Sequence, residues 1–123
     1  MRHRIGGRQF GLPSDQRRAL LKGLVRSLII HKRIETTETR AKDVRSIAEK
    51  VVTRAKQDTV HARRIVRRTI GGHSAQDEDV IKELFTVIAP QFRDRPGGYT
   101  RMAKVGVRRG DGAPLVLLEL AND

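Results

Sequence analysis

The apolar residues of this chain change their spacing near its end, and this change limits the folds available to it. Over roughly residues 14–89 they recur at the spacing of one helix face. After about residue 99 the spacing becomes that of strands, and residues 115–118 form an apolar run. We therefore expect an α+β fold in which three to four helices pack on a small mixed sheet.

Four helical segments are predicted, with approximate bounds at residues 14–30, 39–56, 59–70 and 74–89. Ser14 is expected to cap the first, and Ser74 with Asp77 resembles a capping box for the fourth. Pro90 should stop that last helix. The positions expected to face the core are Leu20, Leu21, Leu24, Val25, Leu28, Ile29, Ala41, Val44, Ile47, Ala48, Val51, Val52, Ala55, Ile65, Val66, Leu84, Phe85 and Ile88.

Three strands are predicted. Residues 33–37 are rich in β-branched side chains and should form a short one. Residues 99–108 and 115–121 should form a hairpin, because turn-forming residues fill positions 109–114 between them. The apolar run within the last strand predicts that this strand is central in the sheet or covered on both faces.

The charge of the chain is strongly basic. It has 26 Lys plus Arg against 14 Asp plus Glu, a net charge of +12 and a pI near 11.3. Such a balance is typical of nucleic-acid binding; an anionic membrane surface and simple solubility are the alternatives. Residues 1–70 hold 19 cationic and 6 acidic residues, a balance of +13, so the first half should do most of the binding.

Residues 1–13 read as a basic RNA-contacting arm, and residues 14–123 as a single α+β domain. Every ionisable side chain in the arm is basic, and glycines separate these side chains. Such a segment can bury little surface of its own, so it should become ordered on a polyanion. A terminus without a role is the alternative.

Catalytic and metal chemistry find little support. The chain has no Cys, and its four His lack the spacing of metal ligands. The acids Asp77, Glu78 and Asp79 could suggest a metal-dependent nuclease, but acids are favoured at a helix start in any case. No apolar run is long enough to span a membrane, and the N-terminus lacks a secretory signal. We expect a cytoplasmic protein with no cofactor and no small-molecule substrate.

Several sequence fragments, in their order, resemble a known family. They are MRHR at the start, RAKDVR from Arg40, HARR from His61, RDRPGGYTR from Arg93 and RRGDGAPLVLLEL from Arg108. Together they resemble the bacterial large-subunit ribosomal protein seventeen family, essentially end to end. Two parts depart from its pattern, namely residues 9–13 of the arm and a longer loop at residues 71–76.

The resemblance implies an α+β fold that contacts large-subunit ribosomal RNA near the peptide exit side, beside other ribosomal proteins. It implies no catalytic role and no cofactor. The predicted function is therefore that of a structural constituent of the large ribosomal subunit, which binds ribosomal RNA and supports translation. The alternative is a DNA-binding architectural protein, which would share the basic arm and the Arg-rich helices.

The predicted RNA-binding residues are mostly cations that can grip phosphates. Because few residues are aromatic, phosphate and shape recognition is expected rather than base stacking. Gly97 and Gly98 would permit close backbone approach, and Tyr99 would stack or hydrogen-bond; an ordinary turn and a core ring are the alternatives. The full set is Arg2, His3, Arg4, Arg8, Arg18, Lys22, Arg26, Thr36, Thr37, Arg40, Lys42, Arg63, Arg64, Arg93, Arg95, Gly97, Gly98, Tyr99 and Arg101.

Overall fold

The computed structural model describes residues 13–71 and 75–121. Residues 1–12 of the predicted arm, with Arg2, His3, Arg4 and Arg8, therefore lie outside the described residues, and so does Ser74 of the predicted capping box. The elements in chain order are α1 (Ser14–His31), β1 (Arg33–Thr37), α2 (Glu38–Ala55), α3 (Val60–Ile70), α4 (Ala75–Glu83), a π-helical turn (Leu84–Ile88), α5 (Ala89–Gln91), β2 (Thr100–Val107) and β3 (Pro114–Leu120). The helices and the sheet share one core, which confirms the α+β class.

The sheet is antiparallel throughout rather than mixed. Its strand order is β1-β3-β2, with β3 in the centre and antiparallel to both neighbours. The hairpin makes β2 and β3 antiparallel, and β1 joins the other edge of β3 with Thr37 opposite Leu115. β1 and β2 run in the same direction but are not neighbours, so no parallel pair forms. The central position predicted for the apolar strand is confirmed.

Burial alternates along β3. Val116, Leu118 and Leu120 are buried, whereas Leu115 and Leu117 are only partly buried. Alternate residues of a strand point to opposite faces, so one face of the sheet packs against the helices. The apolar run thus reflects the central position of the strand, and the second face has no comparable burial.

The predicted helical core of α1 and α2 is largely confirmed. Val25, Leu28 and Ile29 of α1 are buried, while Leu21 and Leu24 pack partly buried against the same core. All five positions of the principal α2 stripe are buried, namely Ala41, Val44, Ala48, Val51 and Ala55. In α3, the buried residues are Ala62, Val66 and Ile70. Ile65 was predicted to point inward, but it is only partly buried.

Two helix boundaries differ from prediction. Ser14 does not cap α1; Pro13 holds that position, without a side-chain cap, and its carbonyl accepts a hydrogen bond from the Arg17 N–H at 2.9 Å. Proline is tolerated there because the first N–H groups of a helix have no intrahelical partner, so its missing N–H removes no helical hydrogen bond. Pro90 does not stop the fourth helix, which continues to Gln91.

A π-helical turn explains how the helix passes Pro90. In this turn the Ala89 N–H bonds the Leu84 carbonyl, five residues back rather than four. A proline in an α-helix lacks the N–H and crowds the carbonyl four residues before it. The wider π-helical turn lies immediately before Pro90, where that crowding would fall. Leu84, Phe85 and Ile88 remain buried, as predicted.

Truncation of the central strand should destabilise the fold. We expect Leu118→Ala to lower the free energy of unfolding by about 2–5 kcal/mol, because Leu118 is 0% exposed and the change leaves a cavity. Chemical denaturation followed by circular dichroism measures this value. Val107→Ala is the control, since Val107 is 70% exposed and should change the free energy by only about 0.5 kcal/mol. Equal effects of the two changes would contradict the assigned core.

Candidate nucleic-acid interface

The cationic side chains divide into those that pair with carboxylates and those that do not. The ion pairs among the described residues are Arg26–Asp77, Lys32–Glu83, Lys42–Glu38, Arg45–Glu49, Arg63–Asp58, Arg67–Glu78, Arg101–Glu119 and Arg108–Asp111. Within residues 13–71 and 75–121, the lysines and arginines without an ion pair to a described carboxylate include Arg17, Arg18, Lys22, Arg33, Arg40, Lys50, Arg54, Arg64, Arg68, Lys82, Arg93, Lys104 and Arg109. These are the side chains most available to an external polyanion.

The three predicted cations of α1 have different surroundings. Arg18 is exposed and Lys22 is partly exposed. Arg26 donates a hydrogen bond from Nη1 to the carbonyl of Ile70 at 2.7 Å, and its Nε lies 3.5 Å from Asp77. Arg26 therefore links α1 to the end of α3 and to α4, while Arg18 and Lys22 are the more available to RNA.

The corner between β1 and α2 lies beside the turn of the hairpin. A shallow cavity of about 390 Å³ is lined by Thr37, Thr39, Arg40, Arg108 and Pro114, among others. The strand register explains this juxtaposition, since Thr37 lies opposite Leu115 and Pro114 opposite Val107. Arg108 of the hairpin therefore lies beside Arg40, the predicted basic residue of this corner.

The remaining predicted residues of this corner are less available. Thr36 lies opposite Val116, a buried residue of β3, so its side chain is on the helix-covered face of the sheet. Lys42 lies 3.4 Å from Glu38, one helical turn earlier. Exposed pairs of this kind are weak, so Lys42 can still exchange its partner for a phosphate.

The exposed side of α3 carries arginines with and without partners. Arg63 donates to Asp58 at 3.0 Å, and its guanidinium lies 4.7 Å from the centre of the Phe85 ring. Arg64 and Arg68 are exposed, lie one turn apart and have no ion pair to a described carboxylate. Of the two predicted residues, Arg64 is thus more available to an external polyanion than Arg63. Arg68, which was not predicted, is also available.

The segment at residues 93–98 forms a turn before β2. Arg93 is exposed, and Arg95 Nη1 donates to the Gly98 carbonyl at 3.3 Å. Gly98 has φ of +65°, a conformation that glycine adopts without the penalty of a side chain. The conformation of this turn is enough to explain why a glycine occupies position 98. After it, Arg101 of β2 pairs with Glu119 at 2.7 Å.

Tyr99 belongs to the core, so the prediction that its ring stacks on RNA is wrong. It is 1% exposed, and its ring packs against Phe92 with 5.3 Å between the centroids. Its hydroxyl accepts hydrogen bonds from Lys56 Nζ at 3.0 Å and from Thr53 Oγ1 at 3.1 Å. The alternative of a core ring is therefore correct. The turn before Tyr99 directs the ring inward, where Lys56 and Thr53 donate hydrogen bonds to its hydroxyl.

The polar contacts of Tyr99 also shift its acidity. Burial by itself raises the pKa of the hydroxyl, but the hydrogen bonds from Lys56 and Thr53 and the positive charge of Lys56 favour the ionised form. Together they hold the pKa below its ordinary value of 10.0. Lys56 also donates to the Arg95 carbonyl at 2.5 Å, so it joins α2 to both the turn and the core.

Sequence reasoning missed several available cations, including Lys50, Arg54, Arg68, Lys104 and Arg109. A signal was present for some of them. Lys42 and Arg45 have an acid one helical turn away, whereas Lys50 and Arg68 have none three or four positions away on their helices. For Lys50 and Arg68, the absence of an acid at that spacing was such a signal.

The comparisons with known proteins cover nearly the whole chain. Residues 20–121 match the family described as Ribosomal protein L17. The chain belongs to this family. It is 56% identical over 115 residues to the large ribosomal subunit protein bL17 of Clostridium beijerinckii, which covers 94% of this chain and 97% of that protein. It is likewise 56% identical over 116 residues to the bL17 protein of Desulforudis audaxviator, covering 94% and 99% of the two chains.

Membership of this family makes the chain a ribosomal protein rather than an enzyme. The bL17 protein of a Thermoanaerobacter species is 54% identical over 116 residues and is matched along 99% of its length. Across residues 13–71 and 75–121, no helix is long and apolar enough to cross a membrane. The family match and the identities to the three relatives confirm the resemblance inferred from the sequence fragments.

The acidity of Tyr99 can be measured directly, because it is the only tyrosine in a chain without tryptophan. Titration of the phenolate absorbance of the folded protein should give a midpoint below 10.0. In Lys56→Met the midpoint should rise, since burial then acts without the opposing charge. Lys82→Met, an exposed lysine of α4, is the control and should leave the midpoint unchanged. A wild-type midpoint at or above the ordinary value would contradict the described hydrogen bonds.

Proposed function

We propose that this protein is a structural constituent of the large ribosomal subunit that binds large-subunit ribosomal RNA through arginine and lysine contacts to phosphates. The proposal rests chiefly on one observation. In a member of a ribosomal protein family, many exposed cations have no ion pair to a described carboxylate. Unpaired cations on a surface repel one another, and a polyanion relieves that repulsion.

The mechanism we propose is positioning rather than base reading. Arginine presents a planar fork that fits a phosphate with two hydrogen bonds, and 19 of the 26 cationic residues are arginine. Contacts to phosphates fix the register and orientation of a protein on RNA without specifying sequence. Arg18, Lys22, Arg40, Arg64 and Arg93 are the predicted contacts whose surroundings favour this role most.

The arm of residues 1–13 completes the proposed interface. Arg2, His3, Arg4 and Arg8 would extend the cationic surface of the first turns of α1, where Arg17 and Arg18 lie. Other large-subunit proteins near the peptide exit side would be neighbours, as the family resemblance implies. The protein would then act within cytoplasmic ribosomes and support translation.

Two other functions have less support. A DNA-binding architectural protein would show the same unpaired cations, but the relatives are named as ribosomal proteins. A nuclease using Asp77, Glu78 and Asp79 would need free carboxylates for a metal. Arg26 holds Asp77, and Arg67 holds Glu78. Both arginines would compete with a metal ion for these oxygens.

Affinity for ribosomal RNA should depend steeply on salt. If the protein neutralises about 6–10 phosphates, its affinity for purified large-subunit ribosomal RNA should fall by roughly 10³–10⁵-fold between about 50 and 200 mM salt. Filter binding at several salt concentrations measures this slope. Duplex DNA at equal salt is the comparison, and tighter binding to DNA would favour the architectural alternative. A nearly flat salt response would contradict the phosphate mechanism.

Matched variants test which cations take part. Arg64→Ala combined with Arg68→Ala removes two unpaired cations and should reduce the slope of log affinity against log salt by about 1.4–1.8. Arg45→Ala combined with Arg67→Ala removes two paired cations outside the predicted set and leaves their carboxylate partners uncompensated. If the slope fell only in the paired variant, the paired cations rather than Arg64 and Arg68 would contact phosphates, and our assignment would be wrong.

Removal of the arm should separate folding from assembly. Within the described residues, the hydrophobic core lies between Val25 and Ala121. The composition of residues 1–12 lets them bury little surface, so their deletion should leave thermal unfolding nearly unchanged. The truncated protein should enter large-subunit particles less efficiently, because it has lost four proposed contacts. Sedimentation of tagged protein with ribosomal particles gives the readout. Normal incorporation of the truncated chain would refute the role proposed for the arm.

A further inference from the structure

A groove runs along α2, bounded by α3 on one side. Ile47, Lys50 and Arg54 of α2 and Ile65 and Thr69 of α3 define this α2–α3 groove. The cavity extends across α2 to Gly97 and encloses about 660 Å³. This volume lies within the range of roughly 300–1,000 Å³ that is typical of small-ligand sites. None of the five defining residues belongs to the predicted RNA-binding set, but Gly97 and the buried Tyr99, which do belong to it, also line the cavity.

The floor of the groove is apolar. Val51 and Val66 are buried beneath it, and Ile47 and Ile65 are only partly buried beside them. Ile65 was expected to be buried, but it lies at the edge of the polar side of α3 and is only partly buried. Two β-branched apolar side chains thus remain accessible at the junction of two helices.

The rim of the groove is cationic. Lys50 and Arg54 lie one helical turn apart on α2, and neither forms an ion pair with a described carboxylate. The acid in the lining, Glu49, is engaged elsewhere, since it accepts a hydrogen bond from Thr100 at 3.1 Å and lies 4.0 Å from Arg45. An occupant of the groove should therefore be anionic as well as partly apolar.

We propose that the α2–α3 groove binds one unpaired nucleotide of large-subunit ribosomal RNA. Its base would lie on Ile47 and Ile65, and its phosphates would contact Lys50 and Arg54. Bases taken out of a stack are commonly held between apolar side chains. Thr69, with Ser46 and Gln57 farther along the lining, offers groups that can hydrogen-bond the ribose 2′-hydroxyl, a contact that does not read the base. This inference rests on the proposed RNA-binding function.

A nucleotide fits the groove better than an acidic helix from a neighbouring protein. A helix in a groove needs apolar contacts over at least two turns, at positions i, i+3 or i+4, and i+7. Here the exposed apolar surface is confined to two isoleucines, and polar side chains follow on both sides. Two isoleucines one across from the other offer contact to a single flat base, which is what the proposal requires.

Substitution at Ile65 tests the apolar contact without altering charge. In Ile65→Ser, affinity for purified large-subunit ribosomal RNA should fall by about three- to tenfold, as expected for lost apolar contact, with an unchanged salt slope. Val60→Ser is the matched control on the same helix, because Val60 is 67% exposed and does not line the groove. Circular dichroism melting shows whether each variant is folded.

A second pair of variants tests the rim. Lys50→Ala combined with Arg54→Ala should reduce the salt slope by about 1.4–1.8. Ultraviolet crosslinking of the wild-type complex, followed by mass spectrometry, should join a nucleotide to the peptides of the groove. The rim variant should lose this crosslink. Lys82→Ala combined with Arg109→Ala, which removes two cations outside the groove, should keep it.

The outcomes are distinct. Loss of affinity in Ile65→Ser together with a groove crosslink supports the nucleotide site. Wild-type affinity in that folded variant, or crosslinks confined to other peptides, overturns it even if the protein binds RNA. If RNA binding is normal in all groove variants but their incorporation into large subunits fails, the occupant is a protein and the proposal is wrong. If the wild-type chain does not bind ribosomal RNA, it is the proposed function that fails.

Discussion

The central strand β3 is the element on which the rest of the domain depends. It is hydrogen-bonded to β1 on one side and to β2 on the other, and it buries Val116, Leu118 and Leu120 against the helices. β1 continues directly into α2, so pairing of β1 with β3 also fixes the start of that helix. The position of Arg40 beside the hairpin turn follows from the strand register.

The carboxylates of the domain serve mainly as internal partners. Asp77 and Glu83 hold Arg26 and Lys32 of the α1 region, and Glu119 holds Arg101 across the hairpin. Lys32 has φ of +68° at the end of α1, where glycine is usual, and its ammonium group bonds both Glu83 and the Ile29 carbonyl. Here a cation stabilises the fold. A basic residue in this chain is therefore not a binding residue by virtue of its charge alone.

Much of the fold follows from spacing, which is a local property of the sequence. The bounds of β1, the buried stripe of α2 and the central apolar strand were all predictable, because each depends on residues a few positions apart. The π-helical turn was not, since Pro90 is normally a stop signal and only the packing of the helix favours its continuation. Tyr99 illustrates the same limit. The two donors to its buried hydroxyl, Lys56 and Thr53, lie more than forty positions away in the sequence.

For the interface, sequence could identify cations but not their availability. Arg63 and Arg64 are adjacent and look alike in the sequence, yet the first is held by Asp58 and Phe85 while the second has no ion pair to a described carboxylate. This difference arises from helix phase, because adjacent positions on α3 point about 100° apart. The same phase places Ile65 at the α2–α3 groove rather than in the core. One helix therefore supplies core residues, internal ion pairs, free cations and an exposed apolar contact on successive faces. A substitution on α3 must accordingly be interpreted by its face, since neighbouring arginines will differ in whether they affect stability or binding.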